Sequence, residues 1–111
     1  MTTFLLRIDQ PEHARGTEPA LAFDGLTIES LAAALLAALR SPNLFERWRA
    51  LQEEPDEVDP GLGLLDPEAQ VSGRDEGSRH YLEVSTTLPH ALLSHRLNML
   101  IGANWTLRDV R

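Results

Sequence analysis

The sequence predicts an α+β two-layer sandwich, an antiparallel sheet with two or three helices packed on one face. Three observations predict it. Strand-like alternation opens the chain and returns in its second half as a hairpin. A run of Ala and Leu from Leu31 to Leu39 has the best helix propensities available. Strands and helices are grouped rather than strictly alternating, which is the α+β pattern.

Each element follows from local chemistry. In Thr3–Asp9, Phe4, Leu6 and Ile8 fall on one face by period two, while Leu5, Arg7 and Asp9 fall on the other. Gln10–Pro19 is polar, carries Pro11, Gly16 and Pro19, and reads as loop. Ala20–Asp24 reads as a short second strand before Gly25. Thr27 is the expected N-cap of the Ala/Leu helix, with Glu29 in its first turn, and Ser41-Pro42 ends that helix. A second helix is expected over Pro42–Gln52, capped by Ser41, with Leu44, Phe45, Trp48 and Leu51 on one face.

Five acids and two prolines occupy the eight residues Glu53–Pro60, which predicts a mobile acidic loop inside a single domain spanning 1–111. Gly61–Leu65 reads as a short strand. Ala69–Gly73 and Ser78–Thr87 read as a hairpin closed by Arg74-Asp75-Glu76-Gly77. On its second strand His80, Leu82, Val84 and Thr86 share one face, and Arg79, Tyr81, Glu83 and Ser85 the other. A last helix is expected over Pro89–Ile101, ended by Gly102, and Trp105–Val110 reads as a closing strand. If Ala20–Asp24 is loop instead of strand, the order becomes β-α-β-β-α-β, the ferredoxin-like split arrangement.

Composition bounds the function. The chain has 111 residues and no cysteine, which excludes disulfide scaffolds, thiol catalysis and cysteine-built zinc sites. All ten cationic side chains are arginine; with the abundance of Ala and Leu, this points to a GC-rich bacterial genome. Net charge is −7, and the seven acids between Arg49 and Arg74 account for the whole excess. That balance argues against nucleic acid and anionic membranes as partners. Arg7 and Asp9 come too early for a signal peptide, and the longest apolar run, nine residues, falls short of the ~20 that a membrane span needs. A cytoplasmic protein is expected.

Catalytic and cofactor motifs are missing. His90 and His95 are five apart, about 140° around a helix, where a metal pair needs three or four. An EF-hand reading of the acidic run fails at its fifth and sixth positions, Gly61 and Leu62. Ser94 and His95 are adjacent and diverge on a helix. No phosphate-loop glycine pattern occurs. The reading therefore assigns no catalytic residue, no metal and no cofactor.

Two interaction signals remain. Trp48 sits between Arg47 and Arg49, a combination common at binding hot spots. The Ala/Leu helix is apolar all round, with Leu31, Leu35 and Leu39 on one face and Ala32, Ala33 and Leu36 on another. Its second face needs a cover, from within the chain or from a twofold partner anchored at Leu36. The first expectation is thus a small accessory protein acting through an apolar helical surface, on another protein or on itself as a homodimer. The alternative is a domain that binds a small metabolite, or an enzyme of low motif content, with a pocket between sheet and helices formed by Arg79, His80, Tyr81 and His90.

Overall fold

β1, Thr2–Ile8, is followed in the computed structural model by a long loop and then by α1, Ile28–Arg40. Next come α2, Asn43–Ala50, and two short 3-10 turns, Pro55–Glu57 and Pro60–Gly63. β2, Gln70–Glu76, and β3, Arg79–Thr86, form the hairpin. α3, His90–Ile101, and β4, Trp105–Val110, complete a chain described over all 111 residues. The sheet order is β2-β3-β1-β4 and every pairing is antiparallel. The element order is thus β-α-β-β-α-β, with α2 and the 3-10 turns inserted into the first crossover.

The alternations are realised as register. Phe4 pairs with Val84, Leu6 with Leu82 and Ile8 with His80. Phe4, Leu6, Leu82 and Val84 are buried, and they meet Leu31, Leu35 and Leu39 of α1 and Leu93, Leu97 and Ile101 of α3. Leu5, Arg7, Tyr81 and Glu83 lie on the opposite face and are only half-buried. α1 starts where Thr27 accepts a hydrogen bond from the Ser30 amide. It crosses β2 so closely that a Cβ at Gly73 would stand 2.9 Å from the Ile28 carbonyl oxygen.

Several local expectations are corrected. Ala20–Asp24 is not a strand. The amides of Leu21 and Ala22 turn back onto the Glu18 carbonyl, and the Phe23 amide donates to Leu100 at the end of α3. The apolar alternation there supplies two buried anchors, Leu21 and Phe23, and the helix end supplies the acceptor. Gly61–Leu65 is not a strand either. Pro60 opens a 3-10 turn, and the Asp59 side chain accepts from the Gly61 amide. The acidic run holds a turn at Pro55–Glu57, with all five of its carboxylates exposed.

Ser41 closes α1 through its amide to Ala37 rather than capping α2, which starts after Pro42 with no side-chain cap. α2 ends at Ala50, so Leu51 leaves the predicted face and is 51% exposed. The hairpin loop is Gly77-Ser78 rather than four residues, since Glu76 already pairs with Arg79. Gly77 has φ 66° while Ser78 stays in the negative region, the pattern of a type II′ turn that suits strand twist. α1 is not buried all round. Ala33 and Ala37 face solvent and Leu36 is half-buried, because alanine exposes too little apolar area to force a cover. No helix is long and apolar enough to cross a membrane.

Candidate functional site

The antiparallel pairing of β1 and β3 brings the end of one strand against the start of the other. There the chain leaves Ile8 through Asp9 and Gln10, and the turn after α3 returns at Asn104, whose carbonyl accepts from the Asp9 amide. The result is a cavity of about 440 Å³ lined by Arg7, Asp9, Gln10, His13, Arg79, His80 and Asn104, with Ile8 its only hydrophobic wall. Gln10 takes a positive φ of 39°, a costly conformation for a residue with a Cβ, and its carbonyl accepts from the His13 amide.

Across the hairpin, Asp75 stands opposite His80 in register, and its carboxylate lies 2.5 Å from Nδ1 of the ring. The carboxylate fixes the orientation of the imidazole and leaves Nε2 free. Of the ten arginines, seven bond to a carbonyl or a carboxylate. Arg7, Arg79 and Arg108 do neither; Arg108 is exposed on β4, and Arg7 and Arg79 line this cavity.

Of the four residues expected to line a pocket, the structure brings Arg79 and His80 together here. Tyr81 lies on the open face of the sheet, paired with Arg7 on one side and Arg74 on the other, and the Arg74 guanidinium stands 5.4 Å from its ring centre. His90 sits at the start of α3, near the rings of Phe4 and Trp105. The cavity is at the strand ends, not between sheet and helices. Sequence reading missed Arg7, Asp9, His13 and Asn104, which come together only through the strand pairing and the loops that leave the strand ends.

The second group disperses. Arg49 pairs with Glu46 at 3.2 Å, and Arg47 is exposed, reaching the Ala20 carbonyl at 3.5 Å. Trp48 is half-buried, packed against Phe45 and edge-on to His95 at 4.5 Å between centroids. Burial, with Arg96 adding to it, lowers the His95 pKa below its ordinary 6.5. Arg96 itself is fully buried without a carboxylate. It donates to the carbonyls of Leu92 and Leu64 and lies 5.8 Å from the Phe45 ring centre, and burial lowers its pKa. Its role is to tie the 3-10 segment to α3.

No group of three His, Cys, Asp or Glu side chains converges in a way that could hold a metal ion. Comparison with protein-family models, with curated proteins and with solved structures gives no match.

Proposed function

We propose that this chain binds a small anionic molecule in the cavity at the ends of β1 and β3. The observation that carries the reading is the pair Arg7 and Arg79, two guanidinium groups without internal partners on one polar cavity. In a chain with 17 acids for 10 arginines, both of these arginines are nonetheless left without an acid partner. Guanidinium forks fit carboxylate and phosphate oxygens in bidentate fashion. The seven acids that make up the charge excess lie in the segment between Arg49 and Arg74, none of them lining this cavity. Screening over ~8 Å at physiological salt keeps distant exposed charge from governing a local site. A polyanion, which must approach the whole surface, is disfavoured. The lysine-free composition and short apolar runs support a cytoplasmic bacterial setting for that ligand.

The test is isothermal titration of the protein with inorganic phosphate and with citrate. Saturable binding that disappears in Arg7→Gln/Arg79→Gln supports the reading. No heat with either anion, or undiminished binding in the double variant, overturns it.

A second reading, self-association, draws on the outer side of α1. Exposed Ala33 and Ala37 flank half-buried Leu36, an apolar strip suited to close approach of a second helix.

A further inference from the structure

We propose that the anion taken between Arg7 and Arg79 is an aromatic carboxylate, its ring lying on Tyr81 on the open face of the sheet. The proposal rests on the anion-binding reading above and narrows its ligand. Strand register assembles the three side chains. Arg7 and Tyr81 are direct partners across β1 and β3. Arg79 stands two residues before Tyr81 on β3 and so shares its face. His80 alternates to the other face, opposite buried Ile8, and takes no part. Directly opposed residues hold their Cβ atoms about 5 Å apart, and diagonal neighbours such as Arg7 and Arg79 about 7–8 Å. Two guanidinium groups at that separation can close on one carboxylate, whose planar oxygens match their forks.

The surroundings select charge and shape. Toward the far end of this face the charges are already paired, Glu83 with Arg111 at 3.4 Å and Arg111 with Asp109 at 3.2 Å. Arg74 meets Glu76 at 3.6 Å, and its guanidinium stands 5.4 Å from the Tyr81 ring centre, steadying the ring from the β2 side. Asp9 is the carboxylate that lines the cavity with Arg7 and Arg79. Two cations against one acid leave a single positive charge, which a carboxylate monoanion balances.

Tyr81 is half-buried and is the one aromatic side chain on its face of the sheet. Leu5, two residues before Arg7, is half-buried on the same face and widens the apolar platform beside the ring. A flat sheet face encloses nothing. A ligand gains there by laying one planar ring on another while its charge reaches the arginines.

The experiment titrates the protein with benzoate and with cyclohexanecarboxylate, which share charge and approximate size but differ in the π system. Benzoate is expected to bind about fivefold more tightly. The chain has a single tyrosine, so its ring protons report the site by NMR, and saturating benzoate is expected to shift them. Tyr81→Leu is expected to abolish the preference and Tyr81→Phe to keep it, in variants that melt as the wild type does. Arg7→Gln/Arg79→Gln is expected to lose both ligands. Equal affinities in the wild type, a preference that survives Tyr81→Leu, or tyrosine resonances unmoved by benzoate overturns the aromatic assignment. The last of these needs no variant to fold. Citrate or phosphate binding alongside any of them leaves the anion site standing. Absence of binding by benzoate, citrate and phosphate alike overturns both.

Discussion

The Thr86 hydroxyl donates to the Asp66 carboxylate at 2.8 Å, and neither side chain is exposed to water. The same carboxylate accepts from the amides of Thr87 at 2.9 Å and Glu68 at 3.1 Å. One aspartate thus ties the end of the inserted segment to the junction of β3 and α3.

Removing that tie is expected to be costly. Asp66→Ala leaves buried donors unpaired and should lower stability in urea by about 2–3 kcal/mol. The hydrogen bond from the Thr87 amide, with those from Thr86 and Glu68, outweighs burial and holds the Asp66 pKa below its ordinary 3.8. A lowered carboxyl pKa stabilises the fold above pH 3.8 and is lost as pH falls through the folded value. Asp66→Asn should flatten that acid limb. His95 adds a second limb at higher pH. Its stabilisation as a neutral ring is complete above 6.5 and shrinks as pH falls below that value, so His95→Phe should weaken the loss between neutral pH and pH ~5. Urea melts across pH check both.

On β3 the two faces should respond oppositely. Val84 is fully buried between Phe4 and Val71 in register, whereas Glu83 lies on the open face. Val84→Asp buries an unpaired charge and should cost more than about 3 kcal/mol, while Glu83→Gln should change stability by less than about 0.5 kcal/mol. The reverse ranking in urea would contradict the register.

Association through α1 is tested by sedimentation. If the small strip around half-buried Leu36 joins two copies, the wild type sediments as a dimer at micromolar concentration and Leu36→Glu converts it to monomer. A wild-type monomer at millimolar concentration rules the dimer out. Addition of phosphate should leave the sedimentation coefficient unchanged, since the anion cavity lies at the strand ends.

Mobility of the acidic run is read from amide exchange. Within 53–60, Glu57 and Val58 are the amides that donate to a carbonyl, both in the short turn at Pro55. The others should exchange as in an unfolded peptide. The Asp66 amide, bonded to the Leu39 carbonyl, should be protected.

Legibility in the sequence followed locality. The faces of β1 and β3 and the Thr27 cap were readable because alternation and capping are short-range signals. Leu21 and Phe23 misled because buried loop anchors two residues apart look like a strand. Asp66 was hidden because an acid beside an acidic run resembles surface, and only the fold brings Thr86 to it. Arg79 and His80 are legible because they open the second strand of a hairpin that alternation marks. Arg7 on β1, and Asp9 and His13 on the loop that follows it, meet them only because β1 pairs with β3, a relationship between distant residues that no local pattern records.

The order β2-β3-β1-β4 leaves two strands with unpaired backbone on their outer sides, a template on which further chains could stack. Both rims are charged. β2 ends in exposed Arg74, Asp75 and Glu76, and β4 carries exposed Arg108 and Asp109. The pairing of β4 with β1 also shifts register between Leu5 and Leu6, an irregularity that adds twist next to that rim. An incoming strand would have to desolvate these charges at either rim and follow a bent edge at one. Fibril-like growth of the sheet is thereby opposed at both sides, without closing the sheet into a barrel.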